Sequence, residues 1–284
     1  MFLWMIFIIF FGVGTSEKNE GQIKAAYVGI FDNNYEKMME KRDKIPWGVF
    51  DRIYIAFATL DKYGNLTDIS NVAEYKIKNI TSLYRKANPN GEVFISSNYG
   101  YDMDSRYLAA ASHPEEFSLS VLKYLEKYQL DGYDMDWETA AINTYSNQLV
   151  LLLKSCKSRF QTKYKLTHTV WLYIHNETTV GQLSGIVDGI NIMCYGAWGN
   201  DLVLILDKFY NNSFPYEKML IGVESEISED NYYTLDEKIK LMCKYGLAGI
   251  YSWRLDNDYN ESFQMALWIN DLFGCKSDSS RWGK

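Results

Sequence analysis

Histidine, cysteine and proline are scarce in this chain: 3, 4 and 4 residues among 284. The histidines His113, His168 and His175 form no HExxH pair, and Cys156, Cys194, Cys243 and Cys275 show no CxxC or knuckle spacing, so neither a metal centre nor a cofactor is expected. Cations are not clustered. With a formal charge of -7 and no Lys/Arg run long enough to form a basic stripe, a nucleic acid is excluded as a partner. Beyond the N-terminus no apolar run approaches the roughly 20 residues that span a bilayer, and no Pro/Ser-rich linker, low-complexity repeat or Cys-rich tail module is visible. What remains is a chain 47% hydrophobic and 16% aromatic, enough for one large core.

The first residues, MFLWMIFIIFFGVGTS, carry an apolar run from Phe2 to Val13 followed by Gly14 and Ser16 as a small-residue cleavage site. They read as a signal peptide over residues 1–16, although no basic residue precedes the run; an uncleaved anchor is the alternative. A signal predicts a secreted protein, or one in a lysosome-like or vacuolar lumen, with no membrane contact after cleavage; we expect a monomer. It also gives meaning to the glycosylation sequons at Asn65, Asn79, Asn176, Asn211 and Asn260 and permits a disulfide, for which Cys243 with Cys275 is the expected pair because both fall near the C-terminal helices. Residues 17–274 are expected to form one domain and residues 275–284 a polar tail.

Within that domain, short β-branched or aromatic runs alternate with longer amphipathic stretches, the pattern of repeated βα units around a parallel sheet. Eight strands are placed, starting at Ala25, Arg52, Glu92, Asp131, Tyr164, Asp188, Lys218 and Ala248. Ser112-His-Pro-Glu115 reads as a capping box for one helix, and Thr234-Leu-Asp-Glu237 opens another that Gly246 closes. Eight such units close into an α/β TIM barrel, whose active sites lie at the C-terminal ends of the strands. Glu138, Tyr195 and Trp253 fall at such ends; a barrel plug is the lesser alternative for Trp253.

The most informative segment is Asp131-Gly132-Tyr133-Asp134-Met135-Asp136-Trp137-Glu138. In a strand alternate side chains share a face, so Asp134, Asp136 and Glu138 converge while Tyr133, Met135 and Trp137 point into apolar packing. Carboxylates held so close cannot all ionise freely, and one kept protonated near neutral pH is what a general acid needs. A solvated acidic loop would not interleave Tyr, Met and Trp. A calcium loop built on DxDxD would want Gly at its sixth and Glu at its twelfth position.

DGYDMDWE matches DxxDxDxE, and in this the chain resembles glycoside hydrolase family 18, the chitinases and endo-β-N-acetylglucosaminidases. Arg52–Ala58, Asn191-Ile-Met-Cys-Tyr195 and Gly249-Ile-Tyr-Ser-Trp253 agree with that family's second, sixth and eighth strands, so the likeness runs from about Ala25 to Asp258. The resemblance implies retaining, endo-acting hydrolysis of β-1,4-linked N-acetylglucosamine, in chitin or in the chitobiose core of N-glycans, with the substrate's own 2-acetamido group as nucleophile. Glu138 would then protonate the glycosidic oxygen, and an ionised Asp136 would orient the acetamido group and stabilise the oxazolinium ion. Tyr195 would bond the acetamido oxygen, and Asp134 would share a proton with Asp136. Trp253, Met193 and Phe57 would line the sugar site, Ser96 would stand beside Asp134, and Asp131 with Gly132 would be structural.

Three departures stand out. The family's third-strand SxGG is Ser96-Ser97-Asn98-Tyr99, its first-strand Tyr is Ile30, and the acid that many chitinases carry after the sixth-strand Tyr is Gly196, a contact for which Glu224 is the expected substitute. About ten residues separate the seventh strand from the next helix, too few for the small α+β insertion of many chitinases, so an open groove is expected. A sugar-binding lectin of the same fold without turnover is the rival reading, and a barrel with a different substrate the third; retention of Glu138, Asp136 and Tyr195 favours the enzyme.

Overall fold

A computed structural model describes residues 21–98, 102–139, 141–171, 177–226 and 229–275. The expected signal peptide, Tyr99, His175, Asn176 and most of the expected tail lie outside the described residues. Among the described residues nine strands form: β1 (Ile23–Gly29), β2 (Arg52–Leu60), β3 (Leu66–Asp68), β4 (Glu92–Ser97), β5 (Gly132–Met135), β6 (Lys165–Trp171), β7 (Gly189–Met193), β8 (Met219–Glu224) and β9 (Gly249–Trp253). Eight of them run in the order β1-β9-β8-β7-β6-β5-β4-β2, all parallel, and pairing of β1 with β2 closes the ring into a (β/α)8 TIM barrel. The exception is β3, an antiparallel hairpin partner of β2 that sequence reading left out. The expected fourth, sixth and eighth strands are thus β5, β7 and β9.

Two apolar layers explain why these runs become strands. Ala26, Val28, Ile53, Ile55, Val93 and Ile95 face outward to the helices, while Ala25, Tyr27, Tyr54, Phe94, Leu220 and Tyr251 fill the barrel. Period-two alternation with apolar groups on both faces is what a doubly covered parallel strand requires, and all nine residues of β2 are buried. On β5 the same alternation sends Tyr133, Met135 and Trp137 into the outer core and the acids inward. Gly132 admits no side chain, since a Cβ there would meet the Phe94 ring at 2.4 Å and the Lys165 carbonyl at 2.7 Å.

Two helix starts differ from expectation. The helix Pro114–Tyr128 is not capped by Ser112, which ends the preceding helix Met103–Ser112 and donates its hydroxyl back to Leu108 O at 3.0 Å. Pro114 opens the helix instead, where its missing N–H removes a donor that would need a cap. The later helix begins earlier, at Tyr232: Asn231 accepts from Tyr233 N and Thr234 N, and Thr234 Oγ1 accepts from Asn231 N in a reciprocal capping box. Gly246 closes it as expected, and Cys243 and Cys275 form a disulfide, while Cys156 and Cys194 are free and buried. Seven residues lie between Glu224, the end of β8, and Tyr232, too few for an inserted domain.

Candidate active site

Register carries the acids of β5 into the barrel mouth. Asp134 pairs with Ser96 on β4 and Thr167 on β6, both inward-facing and both hydroxyl-bearing. Its Oδ2 accepts from Ser96 Oγ at 2.7 Å, Thr169 Oγ1 at 2.9 Å and Tyr27 Oη at 3.1 Å; its Oδ1 accepts from Thr167 Oγ1 at 2.7 Å and Asn191 Nδ2 at 3.4 Å. Burial pushes this carboxyl up and the hydroxyl donors oppose the push. Five donors around one carboxyl fit a fixed anion.

Asp136 lies one rung further along, 2% exposed, and Glu138 emerges at the rim, partly exposed. The strand ends at Met135, and Trp137 turns under the helix side: its ring stacks on Tyr107 at 4.6 Å and its Nε1 donates to Asp104 at 2.9 Å. That anchor, with Thr139 Oγ1 on the same Asp104, carries Glu138 out of the strand toward the mouth.

Asp136, expected to share a proton with Asp134, also has the Glu138 carboxyl close by. Burial first, then the charges of Glu138 and Asp134, drive Asp136 well above the usual carboxylate range. Burial also raises Glu138, against the influence of Asp136 and the bond from Asn98. Asp134 is saturated by neutral donors, whereas Asp136 Oδ1 is buried with none. Carboxyls this close do not both ionise freely, and the more deeply buried Asp136 is pushed up as well as Glu138.

Asp136 and Glu138 open onto a cavity of about 400 Å³ that Tyr195, Met193 and Trp253 also line. The Tyr195 hydroxyl lies 3.3 Å from that of Tyr251, and burial keeps its proton on well above the ordinary tyrosine range, so it can donate to a ligand. Phe57, expected at the ligand, stands one layer behind and packs against Trp253 at 5.9 Å and Phe31 at 5.3 Å, while Ser96 is fully buried beside Asp134, where it was expected. Asp131 lies at the opposite barrel end, accepting from Val93 N and Arg85 Nη2. Ile30, where the family has Tyr, is buried in the outer core.

The Glu224 idea is corrected. Glu224 does not line the cavity; Glu229 does, from the segment after β8. A Cβ at Gly196 would lie 3.1 Å from Glu229 Oε2, and Gly196 has φ +68, so Glu229 fills space that a side chain at 196 would contest. Sequence reading also missed Tyr27, Thr169 and Trp171 on the cavity wall. Trp171 ends β6 as Trp253 ends β9, and the strand-end rule that found the latter would have found it. Among the described residues no group of three His, Cys, Asp or Glu side chains is arranged to hold a metal ion.

A sequence profile of the family described as "Glycosyl hydrolases family 18" matches residues 25–227. Among curated proteins, Chitinase 1 of Aphanocladium album is 30% identical over 155 residues, 47% of this chain and 36% of that protein. The chain spans about a third to a half of the curated relatives it matches first. Among solved structures, a GH18 chitinase from Cycas revoluta in complex with (GlcNAc)3 has a TM-score of 0.76 at 15% identity, covering 89% of this chain and 100% of that one. A chitinase-like agglutinin from Robinia pseudoacacia has a TM-score of 0.74, also at 15% identity and with the same two coverages. At such identities the likeness to the solved structures is one of fold.

Proposed function

The chain belongs to glycosyl hydrolases family 18, and from that premise we propose that it is an endo-acting glycosidase cleaving β-1,4-linked N-acetylglucosamine by substrate-assisted, retaining catalysis. One observation carries the reading: a buried carboxyl pair, Asp136 and Glu138, opens with the Tyr195 hydroxyl onto a cavity walled by Trp253. Aromatic faces suit the CH surfaces of a pyranose, and the polar groups suit its acetamido and hydroxyl substituents.

In the proposed reaction the acetamido carbonyl oxygen attacks the anomeric carbon as the bond to the leaving oxygen breaks. Glu138 delivers its proton to that oxygen. The acetamido N–H bonds Asp136 and the carbonyl takes the Tyr195 proton as a hydrogen bond, so an occupied site favours Asp136 as anion and moves the shared proton to Glu138. Asp136 then faces the positive oxazolinium ion, with the fixed Asp134 charge behind it. Water opens the ring and returns a proton to Glu138, leaving the anomeric configuration retained.

A lectin reading draws support from the agglutinin of like fold and from Gly196 in place of the family's acid. The intact acid pair favours the enzyme. Secretion is supported by the N-terminal apolar run and by the Cys243–Cys275 disulfide, which an oxidising compartment permits.

Incubation with chitin oligosaccharides and with a high-mannose glycoprotein, read by product mass, tests the proposal. Shortened oligosaccharides indicate a chitinase, and released glycans indicate a deglycosylating enzyme. Binding of chitin oligosaccharides without any product would overturn the catalytic reading.

A further inference from the structure

Ser96 faces inward near the end of β4, and Asn98, two positions on and just past the strand's last residue, keeps to the same side. Register sets them against β5: Ser96 pairs with Asp134, Ser97 with Met135, and Asp136 N donates to Ser97 O at 3.1 Å. Two donors on one strand therefore meet successive acids on the next. Ser96 Oγ serves Asp134; Asn98 Nδ2 donates to Glu138 Oε1 at 3.0 Å and reaches Asp136 Oδ2 at 3.4 Å. The amide must turn its NH2 this way, because a carboxylate repels a carbonyl oxygen.

The geometry points to Asn98 as a positioning residue that holds Glu138 by Oε1, leaves Oε2 to face a ligand, and sets how readily the Asp136–Glu138 pair gives up its shared proton. This inference rests on the proposed glycosidase reading for its meaning, not for its test. In the family pattern that the chain resembles, this position is a glycine, which has no side chain to donate. An amide donor favours the ionised form of both partners, and in both it acts against burial. The other titratable groups around the pair are Asp134 from β5, Tyr27 from β1, Tyr107 from the helix behind β4, Tyr195 after β7 and Glu229 after β8. None is a cation, and among the described residues no Lys, Arg or His lines the cavity. Asn98 is thus the neutral group that offsets crowding of negative charge at the mouth.

The test is direct titration of the side-chain carboxyls by NMR in protein labelled at Asp and Glu carboxyl carbons, with Glu138→Gln assigning the pair. In Asn98→Ala and Asn98→Gly the apparent pKa values of the pair should rise by about one unit, as expected when a charge-directed hydrogen bond is lost. In Asn98→Asp they should rise further, because a third carboxyl is added. Unchanged or lower values in both Ala and Gly variants would overturn the inference. Assays of the unmodified protein on chitin oligosaccharides stand apart: an inactive protein defeats the glycosidase reading, while the titration still decides the role of Asn98.

Discussion

Lys238 and Asp230 bracket Tyr195 without touching it. Lys238 Nζ lies 2.7 Å from Asp230 Oδ1, both side chains are wholly buried, and the ammonium also donates to Cys194 O at 3.0 Å and Gly222 O at 2.9 Å. Asp230 Oδ2 accepts from Gly196 N at 3.2 Å and Glu224 N at 2.9 Å. The residues before and after Tyr195 are therefore tied to one ion pair, which also fixes the segment that carries Glu229. Removing one partner leaves the other charge buried and alone, at about 3–5 kcal/mol. Lys238→Met should lower the thermal midpoint by roughly 10 °C, at about 2–4 °C per kcal/mol for a domain of this size. Replacing both residues with apolar ones should restore much of that loss; a midpoint unchanged in Lys238→Met would contradict the account.

Glu138→Gln keeps the shape of the rim but removes the transferable proton. Turnover of chitin oligosaccharides should fall about 10² to 10⁴-fold, the usual contribution of a general acid, while binding measured by calorimetry stays near that of the parent. Undiminished turnover would remove Glu138 from the acid role.

The pH profile follows from two carboxyls that are both pushed up. The active form holds one proton on the Asp136–Glu138 pair, so activity is lost at low pH as the second proton binds and at high pH as the last one leaves. Burial raises both steps, so both limbs of kcat/KM should lie above the ordinary glutamate value of about 4.3. A basic limb at or below that value would show that the pair is not desolvated.

Much of this site was legible in the chain because it depends on period-two alternation. That rule turned Asp134, Asp136 and Glu138 inward and Tyr133, Met135 and Trp137 outward. Tyr27, Thr167 and Thr169 obey the same rule, but their meeting at Asp134 depends on the register of strands that lie up to 107 residues from it. Asn98 was visible only as a departure from a glycine pattern, since its partners are set by the β4–β5 register. Glu229 lies in a connecting segment with no periodicity, and Glu224 was preferred only because it was closer to a strand end. The capping of Tyr232–Tyr245 was misplaced because Asn231 and Thr234 can each cap, and only their reciprocal bonds decide between them.

Glu229 faces the cavity in front of Gly196 and has no part in the proton path. As an acceptor for a sugar hydroxyl it would contribute about 0.5–1.5 kcal/mol of binding. Glu229→Ala should raise KM about two- to tenfold with kcat little changed, the mark of lost uniform binding. A drop in kcat at constant KM would instead assign Glu229 to the chemistry.

Cys243 and Cys275 test the division of labour between the two ends of the barrel. Their disulfide joins the last turn of the helix Tyr232–Tyr245 to the chain after the final helix, 32 residues on. This is the N-terminal face, where Gln22 before β1 also donates to Leu247 O ahead of β9, and where features of a barrel serve stability rather than chemistry. Closing a loop of that length removes unfolded-chain entropy equivalent to about 3–4 kcal/mol at 25 °C. The Cys243→Ser, Cys275→Ser double variant should therefore melt roughly 10 °C lower. Its kcat/KM at 25 °C should match the parent, because no residue of the cavity touches either sulfur. A double variant that melts like the parent but hydrolyses poorly would invert the assignment and place the disulfide in the service of the site.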